Sequence, residues 1–311
     1  MLKSFKNRLA VSLYPLARLY IKRFPVAAQK RRMWSLIRRT IGWRSAVRSI
    51  RTDHGFIVHG DVAEYHYLCL YFFGVWEENI TRFVASRLAP GDSFIDVGAH
   101  IGYYSLLSAS LVGNSGRVLA VEASPRTYRD LLRNLQLNRA ANVRAVNVAA
   151  SDAPGELDLF EAPEESRGRT TTSATWARQS DCTFAGKARA LPLSSIASPR
   201  ELREARLIKI DVEGAEWAVC SGLLPFLSEL RSDAEIILEV TPSELRAQGH
   251  TPEQFIQRFA AGGFFPYVLE NRYSVDYFLS GPKDSRPARL ENFHLAQQTD
   301  LVFSRIDAAH L

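Results

Sequence analysis

The clearest sign of the fold in this chain is the stretch Phe94-Ile95-Asp96-Val97-Gly98-Ala99-His100-Ile101-Gly102-Tyr103-Tyr104-Ser105. It begins as a short apolar run, typical of a buried strand, and passes through two glycines into a helical pattern. A second apolar run, Arg117-Val118-Leu119-Ala120-Val121-Glu122, ends in a carboxylate. Glycines in such a turn let the backbone approach a ligand, and a carboxylate at the tip of the next strand can bind ribose hydroxyls. Together the two segments predict a nucleoside-binding α/β domain.

The spacing of the glycines favours one nucleoside ligand over another. From Asp96 through Gly98 to Gly102 the turn reads Asp-x-Gly-x-x-x-Gly, whereas dinucleotide-binding folds use the tighter G-x-G-x-x-G. The spacing therefore favours S-adenosyl-L-methionine as the cofactor, with an NAD(P)-dependent oxidoreductase as a weaker alternative. His100, inside the turn, is expected either to contact the carboxylate of the cofactor or to cap the helix.

Strand and helix patterns alternate through the rest of the chain. This alternation predicts an α/β fold with a mostly parallel sheet and helices on both faces. A polar insertion at about 152–186 interrupts it and is expected to contain a hairpin around residues 155–160. The predicted strands are 93–98, 117–122, 143–149, 206–211, 235–240, 265–270 and 299–304. The predicted helices are 101–112, a helix that starts after Pro125 and ends at about residue 138, 214–228 and 252–261.

Polar residues recur at the ends of the predicted strands, where ligands of such sheets bind. Ser151 and Asp152 follow the third strand and are expected either to bind the adenine amino group or to cap a turn. Asp211 ends a central strand, where it is expected to act as general base on a hydroxyl or to orient the amine of the cofactor. Glu213 begins the next helix. It is expected either to be a second catalytic acid or to be only a first-turn acid that the helix dipole favours. No set of residues has metal-ligand spacing, so no metal site is predicted.

The charge of the chain is unevenly distributed. Residues 1–52 contain 14 Lys and Arg and no acid, while the remainder holds 25 basic and 33 acidic residues, a net charge of −8. The first 50 residues fit two basic amphipathic helices broken near Pro25. This basic arm is expected either to contact an anionic membrane surface or an acidic partner, or to pack on the body with a solvated basic face. Nucleic acid is a weaker option because no nucleic-acid motif accompanies the charge.

Composition sets the compartment and the division of the chain. The three cysteines are far apart and form no C-x-x-C pair, which favours a reducing, cytoplasmic location, at most peripheral to the inner membrane face. We expect a helical extension at 1–52, an aromatic segment with a helix at 53–92, and the main domain at 93–311. Arg167 and Arg169 of the insertion are expected to bind an anionic substrate or to lie in a solvated loop.

Several strings of the sequence resemble one known family when they are taken together, in order, over about residues 70–305. They are Phe73-Gly74-Val75-Trp76-Glu77, Pro90-Gly91-Asp92, the glycine turn, Val121-Glu122-Ala123-Ser124-Pro125, Ala150-Ser151-Asp152 and Ile208-Lys209-Ile210-Asp211-Val212-Glu213-Gly214-Ala215-Glu216. The chain resembles the FkbM family of S-adenosylmethionine-dependent methyltransferases. The last of these strings is the most specific.

The resemblance implies a seven-stranded class I methyltransferase (Rossmann-like) fold. It further implies methyl transfer to a hydroxyl oxygen of a sugar or a polyketide-type natural product. Asp96, Gly98, Gly102 and Glu122 carry over as cofactor residues, and Asp211 and Glu213 as the acidic motif beside the reacting centre.

Two positions depart from the family pattern. His100 stands where the family usually has Asn, and Leu193-Ser194-Ser195-Ile196 replaces a common Leu-Asp-x-Leu. A different class of function also fits the chain: an inactive protein with this fold that acts through its arm as a membrane-associated or assembly subunit.

Overall fold

The apolar runs of the sequence form one large sheet. The structure, a computed structural model, describes residues 12–23, 27–40, 45–162, 170–272, 275–280 and 286–311. The sheet has eight strands in the order β5-β4-β3-β10-β11-β14-β12-β13. In chain order the strands of the described residues are β1 (Val47–Arg51), β2 (Ile57–Asp61), β3 (Ser93–Val97), β4 (Arg117–Glu122), β5 (Val143–Asn147), β6 (Ala149–Ser151), β7 (Gly155–Glu161), β8 (Thr170–Thr171), β9 (Thr183–Pro192), β10 (Ala205–Ile210), β11 (Glu235–Val240), β12 (Phe265–Leu269), β13 (Ala288–Arg289) and β14 (Thr299–Ser304).

The sheet is mostly parallel, as predicted. Strands β5, β4, β3, β10 and β11 run parallel to one another, whereas β14 lies antiparallel between β11 and β12. The seven strands expected from the family resemblance are all present, and the two-residue β13 extends the sheet by one. The strand order reverses between β3 and β10, so the crevice beyond their carboxyl ends is where a ligand of this fold binds.

Helices cover both faces of the sheet. Alternating side chains of one strand enter different apolar clusters: Phe94 of β3 lies in one and Ile95 in the other. A strand buried on both faces reads as a continuous apolar run, which is why the sequence showed these strands so clearly. The helices of the described residues are α1 (Tyr14–Arg23), α2 (Ala27–Thr40), α3 (Tyr65–Phe73), α4 (Glu78–Arg87), α5 (Tyr103–Val112), α6 (Pro125–Leu137), α7 (Ala174–Gln179), α8 (Leu193–Ile196), α9 (Pro199–Glu204), α10 (Glu216–Leu223), α11 (Pro242–Ala247), α12 (Pro252–Ala261) and α13 (Val275–Ser280).

Local chemistry explains where the helices begin. Ser124 accepts a hydrogen bond from the backbone N–H of Thr127, and Pro125 occupies the first turn of α6. A complete capping box between Thr251 and Gln254 starts α12 at Pro252, where the sequence predicted it.

Three predicted elements differ from the structure. The helix predicted at 214–228 is α-helical only over Glu216–Leu223 and continues as a 3₁₀-helix, Leu224–Glu229, at whose start Pro225 removes a backbone donor. The strand predicted at 143–149 ends at Asn147, and the next strand belongs to another sheet. The hairpin predicted around 155–160 is wrong, since β7 pairs with β9, more than twenty residues further along the chain.

The insertion forms a small sheet of its own, in the order β6-β9-β7-β8. Strand β6 pairs parallel with β9, and β7 pairs antiparallel with both β9 and β8. Arg167 and Arg169 lie outside the described residues, so their predicted role stays a prediction.

The basic arm packs on the body. Tyr14 and Ile21 of α1 are 1% and 3% exposed, and Trp34 of α2 packs edge-on against Phe72 of α3 with ring centroids 5.3 Å apart. The boundary predicted after residue 52 falls inside the hairpin of β1 and β2, which pair antiparallel across it. No helix within the described ranges is long and apolar enough to cross a membrane. Residues 1–11, 24–26 and 41–44 of the predicted arm lie outside those ranges.

Candidate active site

The glycine turn brings the carboxyl ends of β3 and β10 into contact. Gly98 has φ +83°, and a Cβ atom added to it would lie 1.8 Å from the carbonyl oxygen of Asp211. The backbone N–H of Asp211 in turn donates to the carbonyl of Val97 at 2.9 Å. Only glycine permits both this φ and this approach. The turn that the sequence singled out therefore fixes the position of Asp211 as well.

Gly102 serves the packing behind the turn. It has φ +88°, and an added Cβ would lie 2.6 Å from Cδ1 of Leu131 on α6. Because this backbone geometry is left-handed, α5 begins only after it, at Tyr103, two residues later than predicted. Gly98 lines the cavity described below, whereas Gly102 is not among its lining residues.

Glu122 faces the cavity at the end of β4, as predicted. Its side chain accepts hydrogen bonds from the backbone N–H of His100 at 2.8 Å and of Ser124 at 2.9 Å. Burial raises the pKa of Glu122 to about 7, although the two backbone bonds oppose the rise. Each carboxylate oxygen has two lone pairs, so each retains one acceptor position for a hydroxyl. The geometry suits a vicinal diol.

Asp96 lies beneath the cavity and is not among its lining residues. It is 1% exposed and accepts a hydrogen bond from the hydroxyl of Ser105 at 2.6 Å. Burial raises the pKa of Asp96 to about 6, and the nearby Lys209 opposes the rise. Its predicted role in cofactor binding stays a prediction.

His100 contributes both its backbone and its ring. Its φ of +51° is left-handed, and its N–H donates to Glu122 as described. The imidazole lines the cavity with its ring centroid 4.4 Å from that of His66. A bulky aromatic side chain therefore occupies the turn where the resembling family usually has Asn.

Ser151 and Asp152 are not among the lining residues of the cavity. The hydroxyl of Ser151 donates to the carboxylate of Asp152 at 3.2 Å, and Asp152 is exposed. The carbonyl oxygen of Ser151 would lie 2.4 Å from a Cβ added to Gly222, so this segment packs tightly on α10. Their predicted contact with adenine stays a prediction.

Asp211 and Glu213 both line the cavity. An oxygen of Asp211, Oδ2, accepts a hydrogen bond from the ammonium of Lys209 at 2.6 Å. Glu213 has φ +46°, and its carbonyl accepts from the hydroxyl of Thr171 at 2.5 Å. Two predicted acids thus meet the glycine turn in one place, and strand β8 of the insertion is tied to them.

Lys209 is a site residue for which the sequence analysis assigned no role. It is 4% exposed and lines the cavity, with its ammonium 4.7 Å from the ring centre of Tyr104. Burial alone would lower the pKa of Lys209, but the carboxylates of Asp211, Glu77 and Asp96 raise it above its usual value. Lys209 therefore stays charged and positions Asp211. The sequence did contain a signal for this residue, a lysine inside the apolar run of β10. Because a buried lysine is almost always paired, such a lysine predicts a nearby acid.

Glu77 extends this polar cluster on the far side of Tyr104. Its side chain is 3% exposed, and the phenol of Tyr104 donates to Oε2 of Glu77 at 2.7 Å. Burial, and then the charge of Glu77, raise the pKa of Tyr104 well above its usual value. Glu77 occurs in the string Phe73-Gly74-Val75-Trp76-Glu77, which was noted only as part of the resemblance.

The cavity has two kinds of wall. Its empty space, including the open mouth, is about 980 Å³, near the upper end of the usual range for small-molecule sites. One wall is aromatic, where the rings of His66 and Trp76 have centroids 4.4 Å apart. The lining also includes Thr170, Thr171 and Thr172, which come from the insertion.

The order of the large sheet and a cavity at its switch point define the class I methyltransferase fold. A model of the Methyltransferase FkbM domain matches residues 96–266, which is more than half of the chain. The chain belongs to this family and is a methyltransferase. The match favours neither an oxidoreductase nor an inactive subunit.

Solved structures similar to this chain are distant from it in sequence. The first is precorrin-6y C5,15-methyltransferase from Geobacter metallireducens GS-15, with 14% identity, 74% of this chain and 89% of that chain covered, and a TM-score of 0.41. The second is methyltransferase FkbM from Methylobacillus flagellatus KT, with 13% identity and a TM-score of 0.42; 96% of this chain aligns with 60% of that one. The third is fibrillarin from Aeropyrum pernix in complex with S-adenosyl-L-methionine, with 11% identity, 73% and 74% covered, and a TM-score of 0.39. No curated protein sequence matches the chain.

Proposed function

We propose that this FkbM-family methyltransferase uses S-adenosyl-L-methionine to methylate a hydroxyl oxygen on a sugar or a polyketide-type natural product. The observation that carries the proposal is the convergence of Gly98, Glu122 and Asp211 on one cavity. Glu122 offers acceptor positions for ribose hydroxyls, and the left-handed turn at Gly98 lets the backbone approach the ligand. The bound cofactor would supply an electrophilic methyl group.

The residues of the chain would align the acceptor and take its proton. Asp211 is the proposed proton acceptor because it lies at the cavity and is oriented by Lys209. Its second oxygen, Oδ1, has no hydrogen-bond partner within the part of the chain that the structure describes, so it can accept from a hydroxyl. Holding a hydroxyl in line with the methyl group is worth up to ~7–11 kcal/mol in favourable intramolecular cases.

The walls of the cavity support an acceptor that has an apolar face and several hydroxyls. Trp76 and His66 offer aromatic surface on which such a ring can pack. The hydroxyls of Thr170 and Thr172 can donate to and accept from its oxygens, whereas that of Thr171 already donates to the carbonyl of Glu213. Sugars and polyketide-type natural products combine these two properties.

Cofactor binding is tested first by calorimetry. Wild type is titrated with S-adenosyl-L-methionine and, separately, with NAD, beside Glu122→Gln and the control Glu156→Gln, which changes an exposed residue of β7. We expect binding of S-adenosyl-L-methionine only, weakened at least tenfold by Glu122→Gln and unchanged in the control. Failure of the wild type to bind, or equal binding by Glu122→Gln, would contradict the proposed cofactor site.

The role of Asp211 is tested by turnover on a panel of sugar and natural-product hydroxyls. Asp211→Asn keeps the shape of the side chain but removes the proton acceptor, so we expect kcat to fall at least a hundredfold. The control is Asp307→Asn, whose carboxylate pairs with Arg289 and is mostly exposed. Undiminished turnover in Asp211→Asn would exclude this residue as the base.

A further inference from the structure

Helix α1 has two apolar sides, and only one of them is covered by the body. Tyr14, Ala17 and Ile21 face inward and are at most 8% exposed. Leu13, in the turn just before α1, and Leu16 and Leu19 of α1 recur every three residues along the other side and are 45%, 65% and 51% exposed. Residues at this spacing share a broad face of a helix. A single exposed leucine is ordinary, but three in succession along the start and length of one helix form a stripe.

Helix α2, which contacts α1, adds a fourth leucine within a cationic surface. Leu36 is 53% exposed, and Arg32 and Arg39 lie one turn before and one turn after it, both exposed. We call Leu13, Leu16, Leu19 and Leu36, together with Arg23, Arg32 and Arg39, the leucine–arginine surface. No acidic residue precedes Asp53 in the chain, so neither helix carries an acid of its own.

The cations of the arm divide into two groups. Lys22 pairs with Asp53 and Arg31 with Asp276, so these two side chains help to fix the arm on the body. Arg23, Arg32 and Arg39 form no ion pair with any residue that the structure describes. Their charges are available to a partner outside the chain.

From this combination we infer that the leucine–arginine surface docks on a lipid bilayer that carries anionic headgroups. Exposed leucines on a basic helix can insert at the boundary between headgroups and acyl chains, while arginines pair with the phosphates. A second copy of the chain fits less well, because a two-fold interface would bring the same arginines together. Nucleic acid fits less well too, because phosphate contacts account for the arginines but leave the leucines without a role.

Docking would bring the bilayer close to a wall of the active site. Phe72 of α3 packs against Tyr14 and Trp34 of the arm, and His66 and Leu70 of the same helix line the cavity. Helix α3 thus lies against the arm and against the cavity. The inference goes beyond the proposed function, and the experiment below measures it without methyl transfer.

The test uses the full chain and point variants, because deleting the arm would uncover Phe72 and its neighbours in the core. Sedimentation is measured with vesicles of phosphatidylcholine, with and without phosphatidylglycerol, at low salt. The variants are Leu16→Ser/Leu19→Ser and Arg32→Gln/Arg39→Gln. The control is Leu132→Ser on α6, which removes a leucine that is 43% exposed outside the surface. Thermal unfolding of each variant establishes that it is folded.

We expect the wild type and the control to bind only the anionic vesicles. The arginine variant should bind about 25-fold more weakly, at about fivefold for each charge near the surface. The leucine variant should lose at least tenfold. Equal binding to neutral vesicles, no binding by the wild type, or an equal loss in the control would overturn the inference. A wild-type dimer that the leucine variant dissociates, or displacement from vesicles by duplex DNA, would also overturn it in favour of the corresponding partner.

Discussion

Replacing Lys209 by methionine should destabilise the protein and disable Asp211 together. The ammonium of Lys209 is 2.6 Å from Asp211 and is almost fully buried, and methionine keeps most of the apolar stem. Removing one partner of a buried ion pair costs about 3–5 kcal/mol, because the other charge is left uncompensated. The side chain of Asp211 retains 27% exposure, so water solvates part of its charge. We therefore expect a loss of about 3 kcal/mol in the free energy of unfolding.

Urea unfolding at neutral pH measures this loss, with Lys187→Met as the matched control. Lys187 pairs with Glu156 at 3.7 Å, but the two side chains are 59% and 68% exposed. An exposed pair of this kind contributes between 0 and about 1 kcal/mol. The difference between the two lysine variants thus isolates the effect of burial.

The double variant Lys209→Met/Asp211→Asn separates the ion pair from packing. If an uncompensated carboxylate causes the loss, neutralising it should restore about 2 kcal/mol. A loss for Lys209→Met no larger than for Lys187→Met, or a double variant that is merely additive, would refute the assigned role of Lys209. In the single variant we also expect kcat to fall more than KM rises, since Asp211 would no longer be oriented.

Three further predictions concern the turn, the buried acid Glu216 of α10 and the arm. Gly98→Ala should weaken binding of S-adenosyl-L-methionine at least tenfold by calorimetry, because its Cβ would collide with the carbonyl of Asp211; unchanged affinity would contradict this. Burial raises the pKa of Glu216 to about 8. The folded protein therefore keeps a proton on Glu216 that the unfolded chain releases near pH 4.5. The free energy of unfolding should fall as the pH rises from 4.5 to 8. The side chain of Glu216→Gln does not titrate, so its free energy of unfolding in urea should exceed that of the wild type by an amount that grows with pH, to at most about 5 kcal/mol near pH 8. A difference that does not change with pH would contradict the buried acid. Trp34→Ala should cost about 3 kcal/mol of unfolding free energy if the arm is part of the core, and a loss below about 0.5 kcal/mol would show that it is not.

Residues whose position follows from local backbone conformation were the ones that the sequence could place. Gly98, Gly102 and Glu122 are separated by fixed numbers of residues in one strand–turn–helix–strand unit, so their geometry is set by short-range steric rules. The central strands were equally readable, because burial on both faces leaves a continuous apolar run. The same rules placed Asp211 at a strand end beside the turn, where the structure has it.

What sequence could not decide depends on contacts between distant segments. The pairing of β7 with β9 is chosen by register over an intervening loop, and no local pattern distinguishes it from a nearby hairpin. Lys209 of β10 and Glu77 at the start of α4 are distant in the sequence, and only the fold brings both of them into contact with Tyr104. From the sequence, the arm was expected either to contact a membrane surface or an acidic partner or to pack on the body. The rings of Tyr14 and Trp34 pack on Phe72, so the arm does pack on the body, and the membrane contact stays a proposal. Periodicity and turn chemistry act within a few residues of the chain, so a sequence is enough to predict them. Packing and ion pairing join residues that are far apart in the chain, so only the tertiary structure shows them.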